Sequence, residues 1–282
     1  MNTVLAFPRP LRNKRLNTLL LIISVLLMFA GLFAAAYLMG DRGLDTRFMM
    51  RNLSPSLAHP FGTDWLGRDM LTRTVKGLCI SLGIGMTAAA CAAVFSLMLG
   101  TAAAVFGKKV DTCVSILIDT VIATPHLVML ILISFCVGGG AKGVIIAVAL
   151  THWTRLARII RAEILALKSS DYVHLSRRLG KHPLWIIRHH MLPGLLPQFT
   201  VGLLLLFPHA ILHAAGLTFL GFGLSPHTPA IGILLSEAMQ HLSTGHWWLA
   251  AGPGISLVAM VKLFDTLGNA MRTLTDPKTS QE

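Results

Sequence analysis

Residues 151–197, THWTRLARIIRAEILALKSSDYVHLSRRLGKHPLWIIRHHMLPGLLP, are the stretch on which the fold assignment turns. The run enters from an apolar segment that starts near Gly143 and becomes amphipathic after Trp153. Arg155, Arg158 and Arg161 then recur every three residues, which puts them on one side of a continuing helix. Such a helix is expected to protrude from a bilayer, its arginines meeting lipid headgroups or an acidic partner. Asp171 is placed to cap a small helix, and Gly180 to supply the left-handed residue that ends it. Pro183 fits the first position of a second short helix, Pro183–Met191. Two short helices joined at Gly180 make a compact basic knob, with Arg177, Arg178, Lys181 and Arg188 set among His174, His182, His189 and His190.

Outward from this knob the chain is apolar on both sides. Of 282 residues 54% are hydrophobic and 13% charged, with mean hydropathy +0.68, where soluble domains run about 25% charged. A bilayer core takes about 20 apolar helical residues. Six segments meet or approach that: Leu16–Met39, Leu78–Phe106, Val114–Val137 with Asp119 inside it, the run from Gly143, Leu195–Leu224, and Ala250–Met271. The expected fold is an all-α polytopic membrane protein with six transmembrane helices. Residues 1–39 form an N-terminal cytoplasmic segment and first span, and 40–77 an outer loop. Residues 78–271 form a core of five spans that includes the loop 168–193, and 272–282 a cytoplasmic tail. With both termini inside, the inner segments hold 16 Lys and Arg and the outer ones 7, the bias expected of cytoplasmic loops.

Other classes fit poorly. The charge of +12 is accounted for by cationic inner loops, and a helix–turn–helix wedged between two spans has no flanking core with which to present itself to nucleic acid. The first apolar stretch outruns the 7–15 residues of a signal-peptide core, so it reads as a span despite Ala34, Ala35 and Ala36. Cys79, Cys91, Cys113 and Cys136 lack C-x-x-C spacing and read as small hydrophobes. Gly107-Lys108-Lys109 lacks both the first glycine and the hydroxyl of a phosphate-binding loop, and no H-E-x-x-H occurs, so neither a motor nor a catalytic centre is expected on this chain.

Residues 171–180, with His190-Met191-Leu192-Pro193, resemble the E-A-A-x-x-x-G-x9-I-x-L-P loop of ABC importer permeases: Gly180, Leu192 and Pro193 match, while His174, Leu175 and Ser176 stand in the E-A-A positions. Phe61-Gly62-Thr63-Asp64-Trp65-Leu66-Gly67-Arg68-Asp69 resembles the F-G-T-D-x-x-G-R-D signature of the second permease in dipeptide, oligopeptide and nickel importers. Ala215-Gly216-Leu217-Thr218-Phe219-Leu220-Gly221-Phe222-Gly223 resembles a further segment of that group. The resemblance implies the permease fold with a cytoplasmic coupling helix, and multi-pass placement in the cell inner membrane. Tyr172, His174, Leu175, Ser176, Gly180, Leu192 and Pro193 then couple the pore to an ATPase. It implies as partners a second homologous permease, two ATPase subunits that bind ATP and Mg²⁺, and an extracytoplasmic binding protein, with no cofactor on this chain. The outer signature reads as scaffolding, a short helix in which Arg68 pairs with Asp64 and Asp69. Gly221 and Gly223 read as close packing or a break in span five.

Ionisable groups inside spans are costly in lipid and mark pathways. Here they are Asp119, His126, His152, His209 and His213. His209 and His213 lie four residues apart on one helix face, a spacing that suits two imidazoles on one metal, or a pair of interhelical hydrogen bonds. Residues 213–221 resemble the nickel-importer permease more than the peptide permeases. The expected cargo is therefore nickel or a nickel chelate, with His213, His209, His126 and Asp119 along its path. A di- or oligopeptide, or a metallophore–metal complex, is the alternative cargo. A proton-coupled carrier or intramembrane enzyme built on Asp119 and the histidines is the alternative of another class.

Overall fold

The computed structural model describes residues 14–41 and 43–275. The basic N-terminal segment with Arg9 and Arg12, and residues 276–282 of the tail, lie outside the described residues. The chain runs α1 (Lys14–Met39), α2 (Met70–Val105), α3 (Lys108–Ala123), α4 (His126–Cys136), α5 (Gly140–Lys168), α6 (Asp171–Arg178), α7 (Pro183–Ile186), α8 (Leu192–Phe219), α9 (Ile231–His241) and α10 (Trp248–Thr275). Among the described residues five helices are long and apolar enough to cross a membrane, six if α3 and α4 count as one span. Among the described residues the only β-pairing is a single bridge, Thr63 with Asp69.

Small residues set the packing. Ala88, Ala89, Ala92 and Ala93 of α2 are fully buried, and the α2–α5 pair is the most extensive helix contact in the molecule. A Cβ on Gly100 would sit 2.7 Å from the carbonyl oxygen of Ala157, so the two backbones nearly touch there. Lipid tails give helices no hydrophobic reason to associate, and close backbone approach supplies the dispersion contact instead. Ser96 adds a hydrogen bond from its Oγ to the Trp153 carbonyl at 2.8 Å. The central core joins α2, α4, α5, α8, α9 and α10 through Leu82, Leu130, Val148, Ile211, Ile231 and Met260. α1 packs on α10 through Phe29 and Phe264, 4.5 Å between centroids, and leaves Leu20, Leu27 and Met28 exposed as a lipid face.

Four features depart from the reading of the sequence. The third span, expected unbroken over Val114–Val137, bends by 99° between α3 and α4. Pro125 is the cause: it disfavours helical backbone at Thr124, whose ψ is 138°, and it has no N–H for the next turn. Asp171 is the first residue of α6 and not its cap; Ser170 holds the cap position without a side-chain hydrogen bond to the helix, and Asp171 instead puts negative charge in the first turn. The second helix of the knob is not separate. α7 passes through a π-helical turn, Ile187–Met191, directly into α8, so the fifth span begins well before Leu195 and ends at Phe219. The wider turn removes the clash that Pro193 would otherwise make with the carbonyl one turn back.

The outer signature is the fourth. It is a turn and not a helix, and Asp69 does not pair with Arg68. Asp69 caps α2, accepting from the Thr72 N–H at 2.8 Å, and meets His59 Nδ1 at 2.9 Å. Asp64 accepts from Arg68 Nε at 2.6 Å and Arg73 at 2.7 Å, and Arg73 also reaches Glu237 of α9 at 2.8 Å. Asp64 and Arg73 are buried, so this network pins the outer loop to α2 and α9.

Candidate functional site

Two places carry chemistry. The first is the knob. The α6 helix ends as its sequence asks: Gly180 has φ +76°, its N–H donates to the Arg177 carbonyl at 3.0 Å, and the Lys181 N–H to the Ser176 carbonyl at 3.1 Å. These two bonds form the Schellman closure, which needs a left-handed residue where glycine stands. Val173 anchors α6, fully buried against Ile160, Ile164, Ile186, Met191 and Leu195. Around that anchor Tyr172, His174, Leu175, Leu179 and Leu184 are exposed, as are Leu192 and Pro193 at the start of α8. Ser176 is half-buried, its Oγ 3.0 Å from His190 Nε2. His190 lies 5.3 Å from the Tyr172 ring, so the histidine in the isoleucine position braces α6 from beneath. Lys181 sits over the Trp185 ring at 4.9 Å, and Trp185 stacks on His189.

The arginines above the knob have partners inside the chain. Arg161 makes a two-pronged pair with Asp111 of α3, one arm at 2.6 Å, and Arg158 pairs with Asp119. Two of the three arginines expected to face lipid or a partner thus tie α5 to α3. Asp119 and Arg158 are both exposed, on a face that the described residues leave uncovered.

The second place lies at membrane depth. His126 opens α4 just past the Pro125 break, His152 is the thirteenth residue of α5, and His213 lies in the C-terminal half of α8. Their rings meet edge to face with centroids 4.9 Å (His126–His152), 4.7 Å (His126–His213) and 4.9 Å (His152–His213) apart. One ligand nitrogen from each lies within 4.8 Å of the other two. His152 is buried, and its Nδ1 lies 3.1 Å from the Val148 carbonyl and 2.9 Å from Thr151 Oγ1. That fixes the ring and leaves Nε2 toward the other two. His126 and His213 are half-buried.

His209, paired with His213 by spacing, is not in this group. It is exposed, with Nδ1 3.1 Å from the Leu205 carbonyl. Periodicity sees one helix at a time; His152, noted only as ionisable, arrives from another helix altogether. The available signals were Pro125 immediately before His126, and Thr151 beside His152 with its own hydroxyl in reach.

Residues 92–281 match the family of binding-protein-dependent transport system inner membrane components. The chain belongs to that family. The permease is similar to the dipeptide transport system permease protein of Alkalihalophilus pseudofirmus, 32% identical with 97% of this chain and 89% of that one covered. It is similar also to the dipeptide permease of Bacillus subtilis, 33% identical over 81% of this chain and 71% of the other. The nickel transport system permease protein of Escherichia coli K12 is 31% identical, with 80% and 82% covered. Among solved structures, the inward-facing MetNI methionine ABC transporter superposes with TM-score 0.61 at 20% identity, over 73% of this chain and 98% of that one. The protein is thus an ABC importer permease subunit, a transport component and not an enzyme, and it works with permease and ATPase partners.

Proposed function

We propose that this permease forms half of the translocation pore of an ATP-driven importer in the cell inner membrane, with both termini cytoplasmic. A second homologous permease, two ATPase subunits and an extracytoplasmic binding protein complete the machine. ATP and Mg²⁺ bind the ATPases and no cofactor binds this chain. The observation that carries the reading is the knob: apolar and aromatic side chains of α6 and α7 stand exposed around one buried anchor, Val173, at the end of a helix closed by Gly180. Exposed Tyr172, Leu175, Leu179 and Leu184 in water are explained by a partner that covers them. His174, Ser176, Leu192 and Pro193 complete that footprint. Because α7 runs through the π-helical turn into α8 without a stop, movement at the knob passes straight into a span that carries His213.

The cargo in this reading is nickel or a nickel chelate. Histidines at membrane depth are the support; kinship runs to dipeptide and nickel permeases alike. The peptide alternative has its own observation: Asp119 and Arg158 present opposite charges side by side on an uncovered face, suited to the two ends of a dipeptide. Labelled nickel and a labelled dipeptide, offered separately to energised cells with and without the gene, decide between them. Gene-dependent nickel entry that persists when the proton gradient is collapsed and ATP held constant supports the reading. Loss of uptake under that treatment overturns it in favour of a proton-coupled carrier, and entry of the dipeptide alone overturns the nickel assignment.

A further inference from the structure

We infer that His126, His152 and His213 form a transit site for a borderline divalent transition metal, held by three neutral imidazole nitrogens where the broken span meets α5 and α8. The inference deepens the cargo reading above and takes from it that these residues line the path.

First, the arrangement is close to equilateral, with one nitrogen of each ring within 4.8 Å of the others. Three imidazoles on one metal at about 2.1 Å need nitrogens about 3.0–3.4 Å apart, so small ring rotations close the set. Second, hydrogen bonding explains only one of the three rings. His152 is held through Nδ1 by Val148 and Thr151, the arrangement by which a ligating histidine has its far nitrogen oriented. Among the described residues His126 and His213 make no hydrogen bond to the protein, so their polar edges face the shared centre without another partner. Third, the set is built for passage. Three ligands leave coordination positions open, as sites that exchange ligands do. Imidazole donors select nickel, cobalt, copper or zinc over magnesium and calcium.

The position also gives the metal mechanical effect. His126 lies one residue past Pro125, at the 99° bend, whereas His152 and His213 sit on continuous helices. A bound ion therefore ties the hinge of the third span to α5 and α8, and its departure frees the hinge.

The test is binding of Ni²⁺ to the assembled transporter, purified with its partner subunits without a histidine tag. Equilibrium dialysis gives the stoichiometry and X-ray absorption the ligands. The wild type is expected to hold one Ni²⁺ per copy of this chain that is lost in His213→Gln and His126→Gln and retained in His209→Gln. Its absorption spectrum shows imidazole scattering, and Ni²⁺ raises the melting temperature of the wild type but not of His126→Gln. His152 is buried and its replacement risks misfolding, so the two half-buried histidines carry the test. Unchanged stoichiometry in the double variant His126→Gln/His213→Gln overturns the site. Failure here is separable from failure of the cargo reading: histidine-dependent Ni²⁺ binding with dipeptide-only uptake upholds the site and sinks nickel as cargo. Gene-dependent nickel uptake with no histidine-dependent binding does the reverse.

Discussion

At the residue scale the chain sets two histidines with similar credentials in one helix and uses them differently. His209 and His213 share a face by sequence, yet only His213 meets partners from other helices. If cargo metal passes through the three-ring set, His213→Ala lowers nickel uptake about 10–100-fold, the range over which disturbed metal coordination acts. His209→Ala leaves it within twofold, an estimate of what removing an exposed side chain does. Initial rates measured across nickel concentrations check both, and equal effects of the two substitutions contradict the assignment. Asp64 is a different kind of residue, a buried acceptor for Arg73 and Arg68. Asp64→Ala strands the buried Arg73 guanidinium with only Glu237, and stability should fall by about 3–5 kcal/mol, as when one partner of a buried pair is lost. Thermal melting of the purified transporter measures this. A shift no larger than that of Asp41→Ala, whose carboxylate is exposed, refutes the clamp.

At the element scale, most helices were legible because lipid-spanning length and uninterrupted hydropathy are properties of a contiguous run. The end of α6 was legible for the same reason, since a left-handed closing residue is a local demand that Gly180 meets. What escaped were junctions. The dip at Thr124, Pro125 and His126 is too short to split a window of about 20 residues, so an apolar count sees one span where backbone chemistry makes two helices. The π-helical turn escaped because Pro183 announces a helix start while nothing local says that Met191 does not end one. The three-histidine set escaped for a third reason: its members are spread over three helices, and only packing brings them together. Gly180 offers the element-scale prediction. Gly180→Val forces a β-branched side chain into left-handed backbone at about 1–2 kcal/mol, displacing Lys181 and loosening α6. Open space surrounds the position, so the fold survives. Transport should drop severalfold while ATP hydrolysis by the assembled complex loses its dependence on the loaded binding protein. Normal transport with normally coupled hydrolysis, at wild-type abundance, removes the knob from the coupling path.

For the whole molecule, the layout follows from two constraints acting together. Alanine and glycine stripes let α2, α5 and α8 approach closely enough to make a membrane core, and the outer ion network fixes the loop 43–69 across α2 and α9. The basic inner loops put the knob and the α3–α5 arginine pairs on one side, and the outer signature on the other. Cysteine accessibility tests that sidedness: a cysteine at Leu179 should be labelled only from the cytoplasm and one at Leu57 only from outside. The same side for both contradicts the topology.

The central claim is that ATP-coupled movement of the knob drives metal past the three histidines. Radiolabelled nickel uptake in energised cells, comparing no gene, wild type and His126→Gln/His213→Gln, tests it most directly. Nickel entering with the wild type, and not with the double variant present at equal abundance in the membrane, is the predicted result. Equal nickel uptake by the wild type and the double variant contradicts it.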